Sequence, residues 1–169
     1  MKNKFYLIGS MGSGKSVIGR LLAKKLQLPH HDLDKIIETD EEMSITNIFQ
    51  KYNEEYFRNL ESIALEKYSK LNSFVISTGG GIILKKENQK LLNNGCVIFL
   101  KISLDAQYER IKNRSHRPLL NNKDAKASLE LLDNIRGSIY KKVSNIEVDV
   151  SNLGKEDVLS SIINKLNAK

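Results

Sequence analysis

The sequence predicts an α/β fold in which five parallel strands form one sheet with helices on both of its faces. Two observations lead to this prediction. Short apolar runs of strand length alternate with longer stretches whose apolar residues recur at helical spacing. The chain has 169 residues, of which 40% are hydrophobic, and this suits one compact globular domain. No repeat, low-complexity tract or Pro/Gly/Ser-rich linker divides it.

Five apolar runs predict the strands. Predicted helices separate consecutive runs, as parallel strands require, and they cover the sheet on both faces. Ligands of such sheets bind beyond the carboxyl ends of the strands, and polar or glycine-rich clusters follow the first three runs directly. The predicted strands are Phe5–Ile8, His30–Leu33, Phe74–Ser77, Val97–Ile102 and Ile146–Val150.

Eight amphipathic stretches predict the helices. In the first of them, Ile18, Leu22 and Leu26 fall on one face at helical spacing. Ser103 is a suitable N-cap for the helix that begins at the next residue. The predicted helices are Lys15–Leu26, Lys35–Thr39, Ser44–Gln50, Glu54–Lys70, Glu87–Asn93, Leu104–Lys112, Ala125–Val143 and Glu156–Leu166.

The segment Gly9–Ser16, GSMGSGKS, fits the phosphate-binding pattern G-x-x-x-x-G-K-[ST] between a predicted strand and a predicted helix. Its glycines let backbone N–H groups close around phosphate oxygens, and the helix directs its positive end to the same place. Lys15 is expected to reach the β- and γ-phosphates, and the Ser16 hydroxyl to ligate Mg²⁺. The alternative is an ordinary glycine-rich turn. The motif predicts a P-loop NTPase-type three-layer fold, with Gly12, Ser13, Gly14, Lys15, Ser16 and Val17 as nucleotide-binding residues.

Asp32 and Asp34 follow the second predicted strand. If the chain stays extended, both carboxylates leave the same face. One could hold Mg²⁺ beside the P-loop, and the other could orient an acceptor hydroxyl and take its proton. The alternative is a pair of aspartates that cap the next helix. Because a P-loop lies upstream, we favour the functional interpretation. His30 and His31 point to opposite faces of a strand, so we interpret them as structural residues.

A glycine run and four arginines complete the candidate site. Gly79, Gly80 and Gly81 follow the third strand. Consecutive glycines cost chain entropy, which favours a ligand lying against bare backbone over a simple flexible turn. Each arginine alone could be a solvated charge, but guanidinium groups suit carboxylates and phosphates, and Glu61 is placed to hold the first of them. The four are Arg58, Arg110, Arg117 and Arg136.

Composition argues against several other classes. The net charge of +7 comes from 27 basic and 20 acidic residues, but the basic residues are scattered, and no aromatic-basic platform for nucleic acid is present. No apolar run approaches the roughly 20 residues that cross a bilayer. The N-terminal apolar run is too short for a signal peptide, so we expect a cytoplasmic protein. Cys96 has no disulfide partner, and we expect it to be a buried hydrophobe.

In this order, the motifs resemble the shikimate kinase family from Gly9 to about Ser151. Gly9–Ser16 resembles the family's P-loop, including its Met, and Asp32-Leu33-Asp34 resembles its D-x-D motif. The chain departs from the family's pattern at His30-His31, where an aromatic-aliphatic pair is usual, and at Ser138, where Pro is usual. The other matching segments are Met43-Ser44-Ile45 with Ile48-Phe49, Phe57-Arg58 with Glu61, Ser77 to Gly81, Arg117 to Leu120, and Arg136 with Tyr140.

The resemblance implies a reaction and a set of roles on the nucleotide side. It implies transfer of the γ-phosphoryl of ATP to the 3-hydroxyl of shikimate, in aromatic amino acid biosynthesis. Lys15 would contact the transferred group, and Ser16 and Asp32 would hold Mg²⁺. Arg117 would close over the phosphates from a mobile lid at about residues 113–124, as in nucleoside monophosphate kinases. Arg110 would pack on the adenine.

On the acceptor side, the resemblance implies a substrate-binding subdomain at about residues 33–61. Asp34 would bind the shikimate hydroxyls and act as the base. Arg58 and Arg136 would hold the carboxylate, with the three glycines 79–81 closing around the ring. The implied partners are the small molecules ATP and shikimate. We expect no nucleic acid or membrane partner, and we expect a monomer.

The P-loop is also found in other classes of protein. Another small-molecule kinase, acting on gluconate or a nucleotide, shares the loop but does not account for the Arg58 and Arg136 pair or the glycine run. A regulatory GTPase would carry N-K-x-D after a strand, and the nearest segment, Asn121–Asp124, has the wrong spacing and follows no strand.

Overall fold

The structure is a computed structural model of the chain, and it describes residues 3–112 and 125–168. In this part of the chain, five strands form one sheet in the order β2-β3-β1-β4-β5, and every neighbouring pair is parallel. The strands are β1 (Lys4–Ile8), β2 (His30–Asp32), β3 (Phe74–Ser77), β4 (Cys96–Lys101) and β5 (Ile146–Asp149).

Helices connect the strands, as the alternating pattern predicts. The α-helices are α1 (Lys15–Leu26), α2 (Leu33–Asp40), α3 (Ile45–Lys51), α4 (Glu54–Ser69), α5 (Lys86–Leu92), α6 (Leu104–Ile111), α7 (Ala125–Val143) and α8 (Lys155–Asn167), and a 3₁₀ turn covers Ile82–Leu84. The predicted bounds of α1, β3 and α7 agree with the structure, and Ser103 caps α6 by accepting a hydrogen bond from the Ala106 N–H. The 3₁₀ turn was not predicted. No helix in residues 3–112 and 125–168 is long and apolar enough to cross a membrane.

Alternate side chains of the strands build two apolar cores, one on each face of the sheet. On one face, Tyr6 and Phe74 pack with α4, α5 and α7 residues. On the other face, Leu7 and Val75 pack with residues of α1 and α8. The three-layer α/β fold predicted from the sequence is thus present as one five-stranded sheet between two layers of helices, which confirms the fold class. The strands carry apolar residues on both faces because helices cover both.

The strand register brings the polar clusters together at one edge of the sheet. Leu7 of β1 pairs with Ser77 of β3, and Ser77 in turn pairs with Asp32 of β2. The three strands therefore end at the same level, so the segments that follow them meet. This edge is the carboxyl edge, where ligands of parallel sheets bind.

Two local expectations are wrong. The chain does not stay extended through the aspartate pair, because β2 ends at Asp32 and α2 begins at Leu33. Asp32 is the N-cap of α2, and its Oδ1 accepts a hydrogen bond from the Lys35 N–H at 3.4 Å; aspartate is among the best residues for this position. Cys96 is half-buried, not buried, because it opens β4 at the edge of the core. The predicted lid, at about 113–124, lies outside the described residues.

Candidate active site

Two adjoining cavities open at the carboxyl edge of the sheet. The smaller cavity has a volume of about 400 Å³, and the larger cavity of about 690 Å³. They share Met11, Ser16, Asp34 and Gly80 as lining residues. The smaller cavity is further lined by Gly12, Ser13, Gly14, Lys15, Val17, Ile18, Thr78, Arg110, Val150, Leu153, Lys155 and Val158. The larger cavity is further lined by Asp32, Lys35, Glu38, Ser44, Ile45, Thr46, Asn47, Phe49, Phe57, Arg58, Glu61, Gly79, Gly81 and Arg136.

The P-loop has the backbone conformation that its glycines predict. Gly9, Gly12 and Gly14 have φ values of 142°, 79° and 91°, which side chains other than glycine rarely adopt. Lys15 folds back over the loop, where its Nζ donates to the carbonyls of Gly9 at 2.8 Å and Ser10 at 3.0 Å. The predicted nucleotide residues of this loop all line the smaller cavity.

Side chains from α6 hold the outer side of the P-loop. Gln107 Nε2 donates to the Met11 carbonyl at 2.9 Å. Arg110 donates to the Gly12 carbonyl at 3.4 Å and to the Val150 carbonyl at 2.6 Å. Arg110 thus joins the loop to the end of β5 while it lines the smaller cavity, and its predicted contact with adenine stays a prediction. No sequence signal marked Gln107, because its role depends on the packing of α6 against the loop.

Ser77, the last residue of β3, joins three elements beneath the P-loop. Its Oγ donates to the Lys15 carbonyl at 2.9 Å and lies 2.9 Å from His30 Nε2. Gly19 of α1 packs against this pair so closely that a Cβ there would overlap Ser77 Oγ. Burial, more than the neighbouring charges, lowers the pKa of His30. The structure therefore gives His30 a structural role, as its position on a strand indicated.

Both aspartates lie on the cavity walls in spite of the helical turn between them. Asp34 is in the first turn of α2 and lines both cavities, whereas Asp32 lines the larger one together with Ser16. Across residues 3–112 and 125–168, no cluster of three or more His, Cys, Asp or Glu residues could hold a metal ion. The hydroxyl of Ser16 and the carboxylate of Asp32 are nevertheless hard oxygen donors of the kind Mg²⁺ takes, usually together with water and phosphate oxygens.

Arg58 is held on both sides by carboxylates of its own helix. Its Nη1 donates to Oε2 of Glu61, and its Nε and Nη2 donate to Oε1 of Glu54 at 3.1 and 2.8 Å. The predicted pairing with Glu61 is therefore present. The Arg58 side chain is 11% exposed, so the guanidinium is fixed at the wall of the larger cavity instead of being a solvated charge.

Glu61 is a buried acid that sequence reasoning treated only as a support for Arg58. Its side chain is 1% exposed, and its Oε1 has no hydrogen-bond partner among the described residues. Burial raises the pKa of Glu61 to about 7; the Asp34 carboxylate adds to this rise, while Arg58 and Arg136 oppose it. A polar oxygen without a partner at the cavity wall is suited to a ligand hydroxyl.

Arg136 and Tyr140, one turn apart on α7, approach the glycine run from the other side. Arg136 is 6% exposed, and its Nε has no hydrogen-bond partner among the described residues. The Tyr140 hydroxyl donates to the Gly80 carbonyl at 2.5 Å. Tyr140 is fully buried, and burial raises its pKa to about 12. The sequence analysis identified Tyr140 only as part of a motif with Arg136 and predicted no role for it.

Protein side chains give the glycine run a packing role that the sequence did not predict, and its predicted contact with a ligand stays a prediction. A Cβ at Gly79 would overlap Glu61 Oε1, and a Cβ at Gly81 would overlap the Arg58 guanidinium. A Cβ at Gly80 would meet its nearest atoms at 3.6 Å, an ordinary contact. Gly79 and Gly81 therefore leave space for the buried arginine and glutamate, and only Gly80 has room on its open side.

The larger cavity thus collects the six predicted acceptor residues, Asp34, Arg58, Gly79, Gly80, Gly81 and Arg136. The smaller cavity collects every predicted nucleotide residue except Arg117, which lies outside the described residues. A P-loop beside a second cavity with fixed arginines and carboxylates defines a small-molecule kinase of the P-loop type.

The family follows from sequence comparison. A sequence model of the family described as shikimate kinase matches residues 11–167. A shikimate kinase of Legionella pneumophila strain Corby is 38% identical over 162 residues, covering 95% of this chain and 93% of the relative. One of Sulfurihydrogenibium sp. strain YO3AOP1 is 38% identical and covers 98% of each chain. This chain belongs to the shikimate kinase family, and it is an ATP-dependent phosphotransferase that acts on a hydroxyl group.

Solved structures agree with this assignment. Shikimate kinase from Acinetobacter baumannii, in complex with shikimate, superposes with a TM-score of 0.94 at 31% identity, covering 98% of this chain and 93% of the other. A gluconokinase from Sinorhizobium meliloti reaches a TM-score of only 0.58 at 17% identity, over 99% of this chain and 93% of the other. That likeness shows the shared fold alone, so the alternative of a gluconate-type kinase is not favoured.

Proposed function

We propose that the chain binds ATP in the smaller cavity and shikimate in the larger cavity, and that it transfers the γ-phosphoryl group to the 3-hydroxyl of shikimate. The junction of the two cavities, where Ser16, Asp34 and Gly80 line both, carries this proposal. Phosphoryl transfer depends on bringing the donor and acceptor oxygens into line. The relative solved with shikimate supports the choice of acceptor.

On the nucleotide side, the P-loop N–H groups and Lys15 bind the β- and γ-phosphates. Lys15 exchanges its present carbonyl partners for phosphate oxygens, which are stronger acceptors. Ser16 and Asp32 hold Mg²⁺, which neutralises phosphate charge when it is bound. Arg117 closes over the phosphates from the lid. A cytoplasmic location and a monomeric state are predictions that rest on the sequence.

On the acceptor side, Asp34 orients the reacting hydroxyl and accepts its proton. Its position at the junction of the cavities is where an acceptor hydroxyl must meet the γ-phosphate. Glu61 Oε1 and Arg136 Nε, which lack partners among the described residues, gain them when a ligand with several oxygens binds. This gain favours a polyhydroxylated acid over an apolar acceptor.

Arg58 and Arg136 bind the shikimate carboxylate. They come from different helices, α4 and α7, and both line the larger cavity. Both are largely buried, so a carboxylate there is shielded from water, and its pairing with guanidinium groups is strengthened. Because they line the larger cavity and not the smaller one, they act on the acceptor and not on the nucleotide.

Titration calorimetry with each ligand separately tests this division. Arg58→Ala and Arg136→Ala should each weaken shikimate binding while MgATP binding changes little. Leaving a buried carboxylate half paired costs about 2–5 kcal/mol, which is roughly thirty- to several-thousand-fold in affinity. Arg20→Ala, on an exposed position of α1, is the matched control. Unchanged shikimate affinity in both cavity variants would refute the carboxylate site.

The aspartates can be separated by kinetics. Asp34→Asn should abolish turnover yet spare ATP binding, because Asp34 acts on the acceptor. Asp32→Asn should raise the Mg²⁺ concentration needed for activity. Turnover of gluconate or a nucleoside by the wild type, in place of shikimate, would require another acceptor.

A further inference from the structure

The three carbonyl groups of the glycine run all accept hydrogen bonds within the protein. The Gly79 carbonyl accepts from the Ile82 N–H at 3.4 Å, and the Gly81 carbonyl accepts from the Leu84 N–H at 3.0 Å. The Gly80 carbonyl accepts from the Tyr140 hydroxyl at 2.5 Å. Each carbonyl of the run therefore already has one donor within the protein, so a ligand gains more from the N–H groups of the run.

The bond from Tyr140 differs from the other two because it comes from a side chain of a distant helix. Tyr140 is fully buried and lines neither cavity, so it draws the Gly80 carbonyl away from both. All described peptide bonds are trans, and in a trans peptide the N–H points opposite to the carbonyl. The N–H of Gly81, which shares this peptide, is thereby turned away from Tyr140, and it donates to no described residue.

A peptide between two glycines needs such a restraint. Glycine has no Cβ to exclude alternative backbone angles, so a Gly-Gly peptide can rotate and exchange the directions of its N–H and its carbonyl. A rotated peptide would present a carbonyl oxygen to the ligand, and a carbonyl repels a carboxylate. Tyr140 opposes this rotation, and its hydroxyl stays protonated at any working pH because burial raises its pKa to about 12.

We propose that Tyr140 is a positioning residue that holds the Gly80–Gly81 peptide with its N–H toward the acceptor, next to Arg58 and Arg136. This inference rests on the proposed function. It assigns part of the acceptor's binding to a hydroxyl that never touches it. An acceptor binds more tightly through this oriented N–H if it places an anionic or strongly hydrogen-bond-accepting group at this end of the larger cavity.

The test compares two buried tyrosines. Tyr6 and Tyr140 are both fully buried members of one core, both contact an aromatic ring with centroids about 5 Å apart, and both hydroxyls donate a hydrogen bond, that of Tyr6 to Ser69 Oγ. Only Tyr140 bonds to the glycine run. Tyr6→Phe is therefore a control for the loss of a buried hydroxyl. Because the Tyr140 hydroxyl also bonds to Ser10 and Arg136, the signal of the Gly81 amide separates a change of peptide orientation from a shift of Arg136.

Tyr140→Phe should weaken shikimate binding about tenfold, as expected for the loss of one oriented donor, and leave MgATP binding within about twofold. Tyr6→Phe should lower the melting temperature similarly and leave both affinities unchanged. Equal shikimate affinities in the two variants would overturn the proposal, as would an equal loss of both ligands in Tyr140→Phe.

An independent measurement uses the wild-type protein. In ¹⁵N-edited NMR spectra, the Gly81 amide should shift when shikimate is added, and the shift should shrink in Tyr140→Phe. A Gly81 amide that does not respond in the wild type would also overturn the proposal, whether or not the variant folds.

If the wild type fails to phosphorylate shikimate at all, the proposed function fails. If it does phosphorylate shikimate and only these differences are missing, Tyr140 alone is misassigned.

Discussion

The loops after β1 and β3 each carry three glycines at the same edge of the sheet, but they need glycine for different reasons. In the P-loop, Gly9, Gly12 and Gly14 have positive φ values, so the backbone conformation itself excludes other residues. In the run after β3, no glycine has a positive φ, and Gly79 and Gly81 are instead required by Glu61 and Arg58, which fill the space a Cβ would take. The P-loop requires glycine for its dihedral angles, although Gly9 and Gly12 are crowded as well, whereas the run after β3 requires glycine only because of the helix packed against it.

Gly81→Ala should give the largest effect that separates the loops. The new Cβ overlaps the Arg58 guanidinium, so the arginine must leave its position. Shikimate affinity should fall nearly as far as in Arg58→Ala, for which about 2–5 kcal/mol is expected. In a double-mutant cycle, Gly81→Ala and Arg58→Ala should be strongly non-additive, whereas Gly14→Ala and Arg58→Ala should add within about 0.5 kcal/mol. Additivity of the first pair would contradict the packing explanation.

Gly79→Ala should be next in size, with its main effect on stability. Its Cβ overlaps Glu61 Oε1, and Glu61 is 1% exposed, so the clash cannot be relieved toward solvent. Overpacking of this kind costs about 1–3 kcal/mol, which lowers the melting temperature by roughly 2–4 °C per kcal/mol in a chain of this size. Gly80→Ala is the adjacent control, because it has room. If Gly79→Ala and Gly80→Ala have the same melting temperature, the run does not serve to leave space for neighbouring side chains.

Gly14→Ala should cost about 1–2 kcal/mol of stability for a reason that packing does not supply. Its φ is 91°, and the nearest atom to a new Cβ is 3.8 Å away. The cost is that of a left-handed conformation in a residue with a side chain. Gly14→Asn should cost less, because asparagine adopts this region more readily. Denaturant unfolding of both variants measures this, and equal losses would argue against a backbone origin.

The last expected effect is a pH dependence of stability that originates next to the loop after β3. Glu61, which packs against Gly79, has a folded-state pKa of about 7 against an ordinary value of 4.5. The folded state therefore holds its proton more tightly, and the stability gained is complete below about pH 4.5 and lost as the pH rises through 7. The melting temperature of the wild type should fall relative to Glu61→Gln over this interval. If the melting temperatures of the wild type and of Glu61→Gln depend on pH in the same way, the pKa of Glu61 is not raised. The melting temperature of Gly14→Ala should depend on pH as that of the wild type does.

The same comparison explains what the sequence could and could not predict. The P-loop was predictable because its pattern and its dihedral angles lie in one short segment. The reason for Gly79 and Gly81 was not, because it depends on how α4 packs against β3. The roles of Tyr140 and Gln107 were not predictable either, because both depend on hydrogen bonds to distant carbonyl groups; the sequence included Tyr140 only as part of a motif. The prediction that the chain stays extended from Asp32 to Asp34 was wrong, because Asp32 caps α2 and the helix begins earlier than its hydrophobic pattern indicates.

The hydrogen bonds of Ser77 determine which ring nitrogen of His30 carries a proton. A serine hydroxyl has one hydrogen, and Ser77 donates it to the Lys15 carbonyl, which can only accept. Ser77 must therefore accept from His30, so the neutral ring bears its hydrogen on Nε2 and leaves Nδ1 as the basic atom. When the ring takes up a second proton, it does so at Nδ1, and the bond to Ser77 is kept. The start of the P-loop helix is thus held in the same way in both charge states of this histidine.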